Sequence, residues 1–171
     1  MSKHATSDAP INVARDRISL SEARPFLKRC FVAAYPAFVT SEMLAHLEQV
    51  QAADILANDV EDRILVTARR NTQLFGMGVG VLRHATFYVW GFYVAPELQR
   101  TGLGRRIMAV LCADLPDDTV VELHVYTESH DALAFYATLG FRKTGDTRAE
   151  LFPGQICNLS ILSAKRTALR L

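Results

Sequence analysis

Cysteine is scarce and unpaired here: Cys30, Cys112 and Cys157 stand far apart in 171 residues, with no C-x-x-C spacing among them. That excludes a disulfide framework and fits free thiols in a reducing, cytoplasmic setting, each packed as a small hydrophobe. Charge of one sign is lacking too, since no Lys/Arg run exceeds two residues and the formal net charge is +1. Such a balance leaves no electrostatic footprint for nucleic acid or anionic lipid, so the expected partner is a small molecule or a protein segment. No apolar run is long enough to cross a bilayer. The longest, ATFYVWGFYVAP at residues 85–96, is rich in β-branched and aromatic residues and reads as a buried strand. At the start, MSKHATSDAP has Lys3 but no apolar stretch after it, so no secretory signal is expected and residues 1–10 read as a flexible tail. Repeats, low-complexity tracts and linkers are also missing, and residues 11–171 are expected to form one domain.

What is present is a mixed α/β order. A first strand at INVARD precedes Ser19 and Glu22, spaced as a capping box, and a helical pattern through ARPFLKRCFVAAY that Pro36 should end; Pro25 blurs its start. Residues 40–56 predict a second helix with Leu44, Leu47 and Val50 on its apolar stripe, followed by a polar loop, ANDVEDR. RILVTARR and LFGMGVGVLR read as a hairpin across NTQ, with Asn71 suited to the turn. Gly76, Gly78 and Gly80 alternate along the second of these strands instead of preceding a helix, so they imply close packing by another backbone or a bulge, not a phosphate loop. A helix is expected over residues 102–115, a strand at TVVELHVYT and a short helix at SHDALAFYATLG. An antiparallel pair, FRKTGDTRAELF and ICNLSILSA, closes the chain across PGQ.

The stretch VAPELQRTGLGRRI, residues 94–107, carries Q-x-x-G-x-G where a strand ends and a helix begins. A helix start exposes unpaired N–H groups at the positive end of its dipole, and Gly102 and Gly104 leave room for a phosphate there; the plain alternative is a tight turn. The spacing is neither that of a dinucleotide fingerprint nor that of an ATP loop. About thirty residues on stands ALAFYATLGF. Together, V-x-P-x-x-Q-x-x-G-x-G and A-x-x-F-Y-x-x-x-G-F in this order resemble the GCN5-related N-acetyltransferase (GNAT) superfamily, over about residues 87–141.

The resemblance implies a single domain with a mostly antiparallel central sheet flanked by helices: acceptor-side helices and first strands over 11–84, acetyl-CoA-binding motifs over 85–141, closing strands over 142–171. It implies acetyl transfer from acetyl-coenzyme A to an amine, without a metal. Backbone amides of Gln99, Arg100, Thr101, Gly102, Leu103 and Gly104 would cradle the pyrophosphate, with charge added by Arg100 and Arg105. The edge of the strand at Phe92, Tyr93 and Val94 would hydrogen-bond the pantetheine, with Ala132 and Phe135 alongside.

An alkylammonium cannot attack a thioester until it loses a proton, the oxyanion needs a donor, and the leaving thiolate benefits from a proton. The tyrosine of the family's F-Y pair matches Tyr136 as that acid; otherwise Tyr136 is a core residue over the sheet. On VVELHVYT, Val121, Leu123 and Val125 alternate with Glu122, His124 and Tyr126, so one face is wet. Family members that acetylate protein N-termini carry Leu-Glu-Val at this place, whereas this chain has Leu123-His124-Val125. Histidine can serve as base near neutrality, or can be a half-exposed strand residue without a role; Glu122 is the second candidate base. Ser129 stands where many members have Asn, and either contacts the pantetheine or caps the next helix. Cys112, in a helical pattern away from the site, argues against a covalent acyl-cysteine step.

A coenzyme A binding or sensing domain without turnover, or an acyltransferase using a longer acyl group, are the alternatives. Acceptor selection is expected from residues 23–57, where Arg24, Lys28 and Arg29 mix with Glu42, Glu48 and Asp54 around the aromatics Phe26, Phe31, Tyr35 and Phe38. The Leu-x-Val correspondence points toward a peptide terminus; a small-molecule amine stays open. ICNLSILSA, taken as an edge strand, would allow a homodimer.

Overall fold

Strand β1 (Asn12–Arg15) enters helix α1 (Leu20–Ala34) through the anticipated capping box in the computed structural model, which describes residues 9–35, 40–56 and 62–171. Ser19 Oγ accepts from the Glu22 N–H at 3.3 Å, and the Ser19 N–H donates to Glu22 Oε2 at 3.1 Å. Pro25 lies inside α1 and does not end it. Its ring confronts only the carbonyl of Ser21, which is solvent-exposed in the first turn and can tilt outward. The expectations for Pro36, Phe38, the tail through residue 8 and loop positions 57–61 lie outside the described residues.

The single helix expected over residues 40–56 is three pieces: α2 (Ser41–His46), a π-helical turn (Leu47–Gln51) and α3 (Ala52–Leu56). A π turn inserts a residue and rotates the following face by about 100°. The buried stripe therefore passes from Met43 and Leu47 to Ala52, Ile55 and Leu56, while Val50, expected inward, is 42% exposed.

Strands β2 (Arg63–Arg70) and β3 (Gln73–Arg83) form the hairpin, with Asn71 left-handed at φ +53°. They are followed by β4 (Thr86–Val94), α4 (Leu103–Leu111), β5 (Val120–Tyr126), α5 (His130–Thr138), β6 (Arg142–Phe152) and β7 (Gln155–Lys165). The seven strands run in the order β1-β2-β3-β4-β5-β7-β6, antiparallel except for β4 against β5. β7 is thus enclosed by β5 and β6 and has no free edge, so the dimerising edge expected of ICNLSILSA is not there; β1 and β6 are the edge strands.

Helices cover both faces. Added Cβ atoms at Gly76 and Gly78 would meet Ile107 Cδ1 at 2.6 Å and Leu111 Cδ1 at 2.7 Å, so these glycines seat α4 side chains; the Tyr93 carbonyl also stands 3.3 Å from the Gly76 position, and the expected bulge falls opposite Gly78. Gly80 pairs with Val89, which pairs with Leu123, so all of these share the α4 face. On the opposite face, Ile55 of α3 reaches the strand at Gly91 beside Val79. All three cysteines are buried, as their reading as small hydrophobes requires.

Candidate active site

Parallel pairing of β4 with β5 runs only from Thr86↔Val120 to Val89↔Leu123, although β4 continues to Val94 and β5 to Tyr126. The cause lies in β4. Against β3, Trp90 pairs with Val79 and Tyr93 with Met77, so β4 carries one extra residue, and Gly91 takes φ +57° to make the bulge. The bulge bends β4 away and reverses its alternation: Trp90 and Tyr93 share the face of α1 and α3, whereas Phe92 turns to the α5 side, its ring 6.1 Å from those of Phe135 and Tyr136. Between the parted strands opens a cleft of about 540 Å³.

Its two sides carry different chemistry. Glu122 and His124 point to the α1 face, both half-open to solvent, with His124 Nε2 3.6 Å from Glu122 Oε1. Tyr136 enters from α5, only 7% exposed, amid Phe92, Phe135 and Phe141. Burial, followed by the neighbouring phenols of Tyr93 and Tyr35, pushes the Tyr136 pKa above the ordinary tyrosine range. Burial does the same to Tyr35, Tyr93 and Tyr126, so the cleft holds several protonated hydroxyls at neutral pH.

At the cofactor end, Pro96–Leu98 forms a 3-10 turn and α4 begins at Leu103. Thr101 Oγ1 donates to the Leu98 carbonyl at 2.7 Å, Gln99 Nε2 to the Val94 carbonyl at 3.4 Å, and Gly102 stands left-handed at φ +85° with nothing within 4 Å of an added Cβ. The first backbone donor inside the helix is Arg106, bonded to Gly102 O at 3.2 Å. By helix geometry, the N–H groups of Leu103, Gly104 and Arg105 have no acceptor in a preceding turn and point out of the helix end.

The Acetyltransferase (GNAT) family model matches residues 24–141. The chain belongs to the GNAT acetyltransferase family. No curated protein matches it in sequence. Among solved structures, the GNAT fold is shared with the PaiA N-acetyltransferase of Thermoplasma acidophilum, solved in complex with coenzyme A (TM-score 0.72, 14% identity, 91% of this chain and 99% of that one). It is shared with the ribosomal-protein-S18-alanine N-acetyltransferase of Escherichia coli (TM-score 0.68, 20% identity, 92% and 95%) and the IAA acetyltransferase of Bacillus cereus (TM-score 0.60, 18% identity, 91% and 99%).

Within this GNAT fold, Glu122, His124, Tyr136, Phe92, Tyr93 and Ala132 line one cleft. Two sequence expectations change. Gly104 is small because the Phe135 ring lies over it, 2.8 Å from an added Cβ; of the two glycines, only Gly102 leaves open space. Ser129 makes no helix-capping hydrogen bond; its Oγ lies 2.9 Å from Tyr35 Oη. Arg100, left-handed at φ +62°, leans on Asp131 of α5 at 3.8 Å with both side chains almost fully exposed, and Arg105 is exposed on α4. Alternation on β5 pointed to Tyr126, which lines the cleft beside Glu122 and His124, while Trp90, Ala149 and Leu151 went unnoticed because a bulge and a non-neighbouring strand bring them there.

Proposed function

We propose that this chain transfers the acetyl group of acetyl-coenzyme A directly to a primary amine, and the observation that carries the reading is the two-sided cleft between β4 and β5. The open left-handed position at Gly102 and the donor groups of Leu103, Gly104 and Arg105 fit a diphosphate, which negative charge at a helix start favours. The free edge of β4 at Phe92 and Tyr93 offers backbone groups to an extended pantetheine arm, while the Val94 carbonyl is already shared with Gln99 and Cys30. The bound thioester supplies an activated acyl group.

From the α1 side, Glu122 or His124, 3.6 Å apart on the wet face of β5, takes a proton from the incoming ammonium. From the α5 side, Tyr136 keeps its proton because the buried phenolate is disfavoured, so it serves as a hydrogen-bond donor to charge that develops on the departing sulfur. Amine and acyl donor thus meet from opposite faces of the sheet.

Free thiol released from acetyl-CoA, followed across peptides with varied N-termini, lysine, polyamines, aminoglycosides and small amines, tests the proposal. Release that requires one amine class establishes the transferase. Silence across the panel, with acetyl-CoA still bound, overturns it in favour of a binding domain or another acyl donor.

A further inference from the structure

The α1 side of the cleft is walled by rings and aliphatic groups. Tyr88 and Trp90 line it from β4, Tyr126 packs on Tyr35, just after α1, with ring centroids 5.2 Å apart, and Ala149 and Leu151 line it from β6. Tyr88 is 41% exposed, which leaves a ring face for a ligand. Among the described residues lining the cleft, Glu122 is the one carboxylate, and neither Lys nor Arg is present.

We infer that the acceptor is a monoamine whose nitrogen lies next to an aromatic or branched aliphatic group, and not a polycation; this rests on the transferase reading above. One ammonium is matched by Glu122 and by the ring faces around it. Each further ammonium drawn into this cleft would lose its water and face no second carboxylate, a cost that aromatic walls do not repay. The apolar body of a monoamine gains what a polycation loses, by covering Tyr88, Trp90 and Leu151. The same chemistry is offered by a free amine such as phenethylamine and by the first residue of a peptide that begins with Leu or Phe.

Trp90 is the chain's single tryptophan, so its fluorescence reports occupancy of this wall without any turnover. The full chain, loaded with coenzyme A, is titrated with phenethylamine, a Leu-initiated peptide, spermidine and kanamycin, and acetylation of each is followed separately by mass spectrometry with acetyl-CoA. The expected result is a change in Trp90 emission with phenethylamine or the peptide, and kcat/KM for the better of them at least about tenfold above either polycation; which of the two leads names the source. Equal or better use or binding of spermidine or kanamycin overturns the inference while the transferase stands. Binding in the expected order without acetylation overturns the transferase and leaves the ligand class in place; no emission change with any amine overturns the inference. Ala149→Asp, which adds a second carboxylate to the wall, is expected to narrow the monoamine preference about tenfold, and Ala149→Asn, of the same size, to leave it unchanged.

Discussion

Tyr136 is where side-chain packing and chemistry meet. Three phenylalanine rings surround it, and the burial they cause keeps the phenol protonated through the neutral range. Tyr136→Phe preserves that packing and deletes the donor, so kcat is expected to fall about 10²–10⁴-fold with acetyl-CoA affinity held, as read by thiol release and calorimetry. A variant with full turnover would remove Tyr136 from the chemistry. Because the phenol holds its proton, no inflection of the rate from this group is expected between pH 7 and 9; any inflection there that survives in Tyr136→Phe belongs to another group.

The two glycines of the turn into α4 look alike in sequence and do different work as parts of elements. Gly102 is left-handed in open space, so Gly102→Ala costs backbone strain of about 1–2 kcal/mol and raises the KM for acetyl-CoA by setting a methyl where the diphosphate is proposed to lie, with kcat little changed. Gly104 faces the Phe135 ring, which is held between Phe92 and Tyr136. Gly104→Ala is expected to cost about 1–3 kcal/mol by overpacking and, unlike the first variant, to lower kcat by displacing Tyr136; denaturant melts and steady-state kinetics separate the two. Equal kcat in both would show that Phe135 yields without moving its neighbour. The π turn after α2 is a similar case: heptad-like spacing predicted Val50 inward, and one inserted residue sent it out.

At the scale of the molecule, Tyr35 and Ser129 tie the end of α1 on one face to the start of α5 on the other, across the mouth of the cleft. A double-mutant cycle of Tyr35→Phe and Ser129→Ala is expected to show coupling of about 1 kcal/mol in stability, and additive losses would show that the hydrogen bond contributes nothing. Burial raises Cys30 and Cys112 from an ordinary 9.0 to about 12 and about 11. The unfolded chain then gives up those protons first, so their stabilising effect is whole below about pH 9 and is lost as pH rises toward 11 and 12. Urea midpoints are expected to hold steady from pH 7 to about 8.5 and to decline from about 9 to 11. A flat profile to pH 11 would mean that the thiols are not held neutral by the fold.

Local signals decided much of this protein. The Ser19 capping box, the Asn71 turn and the period-two alternation of β5 each depend on residues within a few positions of one another, and the Q-x-x-G-x-G and F-Y motifs, about thirty residues apart, are each short strings legible without the fold. Three features were settled only by tertiary structure. The β4 bulge sets Gly91 against Ile55 of a distant helix; β7 is interior because β6 folds back outside it; and Trp90, Tyr126, Ala149 and Leu151 become one wall because three strands with long intervening segments converge. Periodicity reports which face of an element is buried, but what buries it is chosen by packing between segments far apart in the chain.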